Sequence, residues 1–246
     1  RIDERGVRMG YGDEQITPNN FTVRPLSSPR GSANVSPIAV GSTGVFVARD
    51  GCTICKIGPS ESGAFYLSSS MLRKHRDLGR PGVSALACTQ HPDQRIFAIR
   101  EDGVLLHCLF APEEQIEGWG RRYTDGKFRG VAVRPASGED VVTFHVEREL
   151  GGSTRHYLER MSSITITDQA EINRMDCATR VEGAGMTTIT GADRFNGKSV
   201  SVWADGKPHR DKTVSGGSFA LDFPADVVWY GLPFNSDIQT TMLAYG

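Results

Sequence analysis

The stretch IFAIREDGVLLHCLF, residues 96–110, decides the fold of this chain. Two apolar runs flank the dipeptide Asp102-Gly103. Asp-Gly between apolar runs is a strong signal for a tight β-hairpin, because the turn needs positive φ angles that these two residues tolerate. The same arrangement recurs twice, at residues 45–57 around Asp50-Gly51 and at residues 141–158 around Gly151-Gly152. The sequence therefore predicts three antiparallel hairpins.

Each hairpin follows another apolar strand pattern, and the complete unit repeats along the chain. The upstream strands are predicted at residues 36–40, 83–89 and 128–134. A period of about 50 residues is typical of a β-propeller blade of the kelch-like size class. Because a closed propeller usually needs about four to eight blades, three copies do not close one. We therefore predict β-propeller-like blades over residues 16–161, partial or open in this chain.

Two segments depart from the repeat. Residues 1–15 are predicted to be a flexible connection, since the spacing of Gly6, Gly10 and Gly12 fits neither the dinucleotide-binding nor the P-loop pattern and no predicted strand precedes it. A short helix is predicted near residues 68–78, because serine caps helix N-termini, cations favour the last turn, and Gly79 and Pro81 end it.

The strand pattern changes after residue 161. Residues 163–167 alternate as Ser-Ile-Thr-Ile-Thr, and residues 199–204 alternate before the turn Asp205-Gly206. A further strand is predicted over residues 218–223, ended by Pro224, with a last one at 227–230. Such spacing predicts a small antiparallel β-sandwich or barrel over residues 162–246, so the whole chain is predicted to be all-β.

Composition narrows the functional classes. The chain has 246 residues, with 28 Lys+Arg against 29 Asp+Glu and a net charge of −1, which argues against a tight nonspecific grip on nucleic acid. The odd count of five cysteines favours reduced thiols over a disulfide framework. Residue 1 is Arg and no apolar signal region follows it. We therefore expect a piece of a longer chain or a processed product.

Cysteine and histidine residues give the first candidates for chemistry. Cys52-x-x-Cys55 supplies two thiols, and His107-Cys108 could complete a metal site across neighbouring blades. Zinc needs four ligands, however, and strand positions three apart face opposite sides. Two buried thiols are therefore the favoured interpretation. Histidines on predicted strands are interpreted as half-exposed cross-strand residues, namely His107, His145 and His156.

Charged clusters give the remaining candidates. The adjacent acids Glu101-Asp102 and Glu139-Asp140 stand at predicted turns, where solvated turn chemistry explains them better than paired catalytic carboxylates. The basic clusters at residues 73–76 and 121–122 are too short for a nucleic-acid footprint. We therefore predict no catalytic residue, no bound cofactor and no metal site.

Several longer strings stand out in the sequence, namely ITPNNF at 16–21, RGSANVSPIAVG at 30–41, GWGRRYTDG at 118–126, VSVWADG at 200–206 and GLPFNSD at 231–237. Together they resemble a family of virion proteins, the tail nozzle (tail tube or hub) proteins of short-tailed bacteriophages, also described as packaged-DNA stabilisation proteins. The similarity extends from about residue 16 to residue 243, and its motifs are patterns of turns and apolar residues rather than catalytic signatures.

The resemblance implies a structural role. The resemblance implies a hexameric ring below the portal, built partly from β-propeller domains around a channel for DNA. The expected partners are other copies of the chain in a homo-hexamer, the portal, the adaptor and other tail proteins, with transient passage of double-stranded DNA and no membrane. The expected location is the virion tail, after assembly in the host cytoplasm. The expected function is retention of packaged DNA and its conduction during ejection.

Two other functional classes remain open at this point. A β-propeller hydrolase acting on carbohydrate would place several acids in a deep pocket where blade loops converge. A fibre-binding or adhesion module would use the same turn-rich sheets without forming a ring. The neutral net charge fits the nozzle hypothesis, because a ring through which DNA slides must not grip it.

Overall fold

A computed structural model describes the backbone of residues 2–3, 6–11, 19, 22–25, 30–59, 66–173 and 175–236. Side chains are described at residue 19 and at residues 30–59, 67–173 and 175–236. The prediction of an all-β protein is confirmed, since the regular structure of the described residues is mostly small antiparallel sheets. None of these sheets is closed. The chain divides into two compact units, Arg1–Arg148 with His156–Ser162 and Glu149–Arg155 with Ser163–Gly246.

The first unit begins with a three-stranded sheet of β1 (Ile2–Asp3), β2 (Gly6–Tyr11) and β3 (Thr22–Pro25). The prediction of a flexible connection over residues 1–15 is therefore wrong where β1 and β2 lie. The physical reason is visible in β2, whose sequence places Val, Met and Tyr at every second position, the alternation of a strand. The ITPNNF string at residues 16–21 lies outside the described residues except at Asn19.

Three further sheets follow, and each corresponds to one predicted repeat. Blade 1 contains β4 (Ile38–Val40), β5 (Thr43–Val47), β6 (Ile54–Pro59) and β7 (Tyr66–Ser70) in that spatial order. Blade 2 contains β8 (Val83–Thr89), β9 (Arg95–Arg100), β10 (Leu105–Ala111) and β11 (Ile116–Arg122), with a 3₁₀ turn at Pro112–Glu114. Blade 3 contains β12 (Lys127–Arg134), β13 (Val141–Leu150) and β14 (Ser153–Arg160).

The predicted hairpin turns are confirmed. Asp50-Gly51 joins β5 to β6, where Gly51 has φ +72° and the Asp50 carboxylate accepts hydrogen bonds from the backbone N–H of Cys52 and Thr53 at 3.0 and 2.9 Å. Gly103, with φ +90°, closes the equivalent turn between β9 and β10. In the first of these turns, the hydrogen bonds of the Asp50 side chain replace strand-pairing bonds that the turn residues cannot make.

The helix predicted near residues 68–78 is absent, and this prediction is wrong. Ser68, Ser69 and Ser70 instead complete β7, where they pair with β6, and turns follow from residue 71. Serine is a weak helix former, so the tertiary contacts decide the structure here. Met71, Leu72 and Leu78 are all buried in one apolar cluster, which the turns achieve.

The second unit is one open antiparallel sheet. Its strands are β15 (Asp176–Ile189), β16 (Ser199–Ala204), β17 (Lys207–Pro208), β18 (Lys212–Thr213) and β19 (Phe219–Leu232), ordered β15-β19-β16-β17 with β18 paired to β16. Short 3₁₀ turns lie at Gln169–Glu171 and Asp193–Phe195. The predicted turn at Asp205-Gly206 joins β16 to β17. The core includes Tyr230, whose ring meets the edges of Phe195 and Phe219 at centroid distances of 5.9 and 5.3 Å.

Two strand predictions in this unit are wrong. Residues 163–167 form no strand, because the Ser163 hydroxyl accepts a hydrogen bond from the Thr165 backbone N–H at 3.1 Å and so competes with strand pairing. Pro224 does not end its strand, because β19 continues to Leu232. The pairing of β19 with β15 is irregular around Pro224, where a residue without an N–H is tolerated.

Candidate functional site: the joints between blades and the outer face of blade 3

Blades 1 and 2 are joined by an apolar cluster, here called joint 1. The facing sides of the two sheets bury aliphatic and aromatic side chains with almost no exposure. Full burial of one such side chain contributes about 1.5–3 kcal/mol, so the joint is a principal source of stability in the first unit. Its buried members are Val40, Val45, Val47, Ile54, Met71, Leu72, Leu78, Val83, Ile96, Ala98, Leu106, Cys108 and Phe110.

Blades 2 and 3 are joined by a second apolar cluster, joint 2. The Phe144 ring meets the edges of Phe97 at 5.9 Å and of Phe128 at 5.3 Å between ring centroids. Such edge-to-face pairs add about 0.5–1.5 kcal/mol beyond the burial of their area. Buried members of joint 2 are Phe97, Ile99, Leu105, Phe128, Val142, Phe144 and Val146. Blade 2 is therefore apolar on both faces.

The hairpin turns also hold neighbouring blades together. The Gly51 carbonyl, in the turn of blade 1, accepts a hydrogen bond from the backbone N–H of Val83 at the start of blade 2, at 2.8 Å. The Gly103 carbonyl, in the turn of blade 2, accepts one in the same way from Phe128 of blade 3, at 3.0 Å. A Cβ at Gly103 would lie 2.5 Å from the Lys127 Cβ. The turn glycine thus permits both the hairpin and the approach of the next blade.

Polar side chains connect the blades at the other strand ends. The Gln90 amide donates to the Ala39 carbonyl of blade 1 at 3.0 Å, and its oxygen accepts from the Gly41 N–H at 3.4 Å. The Asp140 carboxylate of blade 3 accepts from the backbone N–H of Gln90 at 2.7 Å and of His91 at 3.2 Å. Both bonds hold the pKa of Asp140 below its usual value, and the bond from the Gln90 N–H contributes most. One short segment therefore contacts all three blades.

The outer face of blade 3 differs from both joints, because polar side chains make up most of it, beside one exposed apolar residue, Leu158 on β14. Alternation along β13 sends Phe144 and Val146 into joint 2 and sends His145 and Glu147 to the opposite face. Arg129 donates to both oxygens of the Glu147 carboxylate, at 3.0 and 3.1 Å. The Nε2 atom of His145 lies 3.0 Å from the Nδ1 atom of His156 on β14. This outer face is half-exposed and hydrogen-bonded rather than apolar.

Blade 3 also contains a buried ion pair. The Arg148 side chain is fully buried, and its guanidinium donates from Nε and Nη2 to the two carboxylate oxygens of Glu159 at 2.6 and 2.7 Å. Its Nη1 donates to the Asp125 carbonyl at 2.9 Å. Bidentate pairing with a further backbone acceptor is the arrangement that allows a charged group to be buried. The pair fixes β14 against β13 and the turn before β12.

The cysteine candidates and His107 are not brought together as one metal site, whereas His145 and His156 are in contact. The Cys55 side chain is buried with Phe46 on the face of blade 1 opposite joint 1, whereas Cys108 lies in joint 1 itself. The Cys52 thiol donates to the Pro81 carbonyl at 3.3 Å. Within residues 30–59, 67–173 and 175–236, no three His, Cys, Asp or Glu side chains are grouped as a metal site.

His107 occupies a distinct environment in blade 2. Its ring packs so closely on the Gly120 backbone that a Cβ at that glycine would lie 2.5 Å from the ring carbon Cε1. The buried Nδ1 atom has no hydrogen-bond partner among the described residues. Burial lowers the pKa of His107 to about 4, and the positive charges of Arg122 and Arg95 add to this shift. The ring is therefore a neutral packing group at physiological pH.

The acidic and basic clusters serve local structure. Asp102 accepts hydrogen bonds from Arg100 and from the Val104 backbone N–H, which hold its pKa below the usual value despite an opposing contribution from burial. Asp140 belongs to the link between blades described above. The basic residues 73–76 are exposed, and Arg121 pairs with Asp77 at 2.5 Å.

Sequence reasoning missed the groups that depend on strand pairing. Neither the Arg148–Glu159 pair nor the Gln90 links were predicted from the sequence. An arginine at an inward position of an alternating strand is the signal that marks Arg148, since such a residue needs a buried carboxylate partner. No comparable signal exists for Gln90, an exposed residue whose partners lie 49 and 51 positions away.

Comparison with protein-family models finds no match to this chain, and no curated protein matches it. No helix within the described ranges has both the length and the apolar character needed to cross a membrane.

Proposed function

We propose that this chain is a structural subunit of a bacteriophage tail nozzle or hub, which retains packaged DNA and conducts it during ejection. The observation that carries the proposal is the repeated joint between blades, in which an apolar cluster, a turn carbonyl and a polar link recur from one blade to the next. Sheets connected in this way form a rigid block, which is what a component under mechanical load requires.

The charge of the chain supports the same proposal. The chain has a net charge of −1. Some of its exposed charges are neutralised in ion pairs such as Arg129–Glu147 and Arg121–Asp77. A surface of this kind lacks the concentrated basic character that holds DNA by its phosphates. DNA would therefore pass such a surface without being bound.

Electron microscopy tests the proposal directly. We expect the recombinant protein, expressed with its flanking sequence, to form six-fold rings, or to co-purify with the portal and adaptor proteins of a short-tailed phage. A monomer without affinity for either partner would contradict the proposal. A parallel screen with glycoside and ester substrates distinguishes the hydrolase alternative, since turnover lost on mutation of an acid residue would identify an enzyme instead.

A filter-binding measurement tests the role of charge. We expect the protein to retain no double-stranded DNA on the filter at 150 mM salt. A surface that binds DNA through several phosphate contacts would still retain it there at a protein concentration on the order of 10⁻⁶ M. Retention that falls steeply with salt would show a basic contact surface and would contradict free passage.

A further inference from the structure

The strongest unexplained feature of the molecule is the pair of histidines on the outer face of blade 3. The Nε2 atom of His145 and the Nδ1 atom of His156 are 3.0 Å apart, and the ring centroids are 5.0 Å apart with the planes tilted by 47°. His145 is half-buried on β13, while His156 is exposed on β14. Two imidazoles held side by side on adjacent strands offer two nitrogen ligands from a rigid support.

The distance between these nitrogens is that of a hydrogen bond between the rings, and it is also close to the separation of two nitrogens bound to one metal ion. Imidazole nitrogens bind transition metals at about 2.0–2.1 Å, so two ligands 3.0 Å apart subtend about 91–97° at the metal. This is the angle between neighbouring ligands in square-planar or octahedral geometry, which Cu²⁺ and Ni²⁺ favour.

Metal binding here needs no net loss of a proton. In the metal-free pair, the N–H of one ring donates a hydrogen bond to the bare nitrogen of the other. A neutral imidazole can carry its proton on either nitrogen, so the donor ring changes tautomer and both facing nitrogens present lone pairs. The exposed His156 ring then turns until the two lone pairs converge.

The charged neighbours place a carboxylate beside the pair. Glu147 follows His145 by two residues on the same face of β13, and Arg129 donates to both oxygens of its carboxylate at 3.0 and 3.1 Å. Glu147 forms an ion pair with Arg129. Its negative charge favours a cation nearby, while the positive charge of Arg129 opposes one.

We propose that His145 and His156 bind one divalent transition-metal ion of the Ni²⁺ or Cu²⁺ type, in two neighbouring coordination positions, with water in the others. The site links β13 to β14 across the outer face of blade 3. It is independent of the proposed role in a phage tail, because it depends only on the two rings and their supporting strands.

Isothermal titration of the full chain, without an affinity tag, with Ni²⁺ alone tests the proposal. Ni²⁺ is chosen because Cu²⁺ oxidises thiols and the chain has five free cysteines. We expect one ion per chain, and at least a tenfold loss of affinity in both His145→Gln and His156→Gln. His75→Gln, which removes an exposed histidine elsewhere, and Cys52→Ser are the matched controls and should leave the affinity unchanged.

Three results would overturn the proposal. The first is that the unmodified chain does not bind Ni²⁺ at 1 mM, a concentration on the order of the dissociation constant of a weak site. The second is full affinity in either single histidine variant, and the third is loss of binding in a control variant. A further variant keeps the test decisive if a histidine variant misfolds. Arg129→Gln removes a positive charge and releases Glu147, so it should tighten Ni²⁺ binding several-fold, and unchanged or weaker binding would place the ion elsewhere.

Discussion

Acidification should destabilise the first unit through a single buried ring, that of His107. The folded protein keeps this ring neutral, with a pKa of about 4, because burial and the charges of Arg122 and Arg95 disfavour the imidazolium. In the unfolded chain the ring regains an ordinary histidine pKa of about 6.5. The unfolded state therefore binds more protons between these two values, and folding free energy is lost as the pH falls from about 6.5 towards 4.

The size of the effect follows from the difference between the two pKa values. Each unit of difference corresponds to about 1.36 kcal/mol, so the complete loss is about 3 kcal/mol below pH 4. At pH 5 the unfolded ring is almost fully protonated and the folded ring is still almost neutral, which gives a loss of about 2 kcal/mol relative to pH 7.5. This is a large part of the stability of an ordinary domain.

Urea unfolding at pH 7.5 and pH 5.0 measures this loss by comparing the unmodified protein with His107→Gln. Replacing Trp203 and Trp229 by Phe in both proteins leaves Trp119, on β11, as the fluorescent reporter of the first unit, since the chain has three tryptophans. We expect the free energy of unfolding to fall by about 2 kcal/mol more in the protein that retains His107.

The comparison isolates His107 because every other titrating group is common to both proteins. These groups include His209, whose pKa is also lowered by burial and whose loss of stability has the same sign. Replacing the exposed His75 by Gln provides the matched control, which should leave the pH dependence as it is. If His107→Gln and the unmodified protein lose stability equally between pH 7.5 and 5.0, the assignment of the acid-sensitive group to His107 is refuted.

Three further changes test the contacts that hold the blades. Arg148→Met leaves Glu159 without its buried partner and should cost about 3–5 kcal/mol in urea unfolding, whereas Arg155→Met on the surface should cost almost nothing. Gly103→Ala combines a positive φ with a clash against β12 and should lower the free energy of unfolding by about 1–3 kcal/mol. Gln90→Ala removes two hydrogen bonds near the surface and should cost about 1–2 kcal/mol, seen as faster amide exchange at the β4–β5 turn.

Local chemistry explains which parts of the fold could be predicted from the sequence. The hairpins at Gly51 and Gly103 were predictable because a positive φ at a fixed place in a turn needs particular residues. The predicted helix near residues 68–78 failed because three serines pair with β6 and the following apolar residues fill joint 1. The strand predicted at residues 163–167 failed because a serine hydroxyl bonds to its own backbone.

The faces of the sheets could be predicted only where they differ in polarity. In β9 the four central residues, from Ile96 to Ile99, are all buried, so alternation does not tell which of them faces which neighbour. In β13 the alternation is clear, and the sequence indicates an inward apolar face and an outward polar one. Counting outward from the Gly151-Gly152 turn brings position 156 into the neighbourhood of positions 145 and 147, but ring orientation needs the structure.

The contrast between the faces determines what can cover blade 3. Joints 1 and 2 are stabilised mainly by removing apolar surface from water. Joint 1 also has the Lys56–Glu117 ion pair at 2.6 Å, with the Lys56 ammonium over the Phe110 ring. The outer face of blade 3 holds the Arg129–Glu147 pair and the His145–His156 pair in contact with water. An apolar blade stacked on this face would have to desolvate these groups without replacing their hydrogen bonds, which costs more than the contact returns. A neighbour that covers this face, from the same chain or another copy, must therefore bring polar partners of its own.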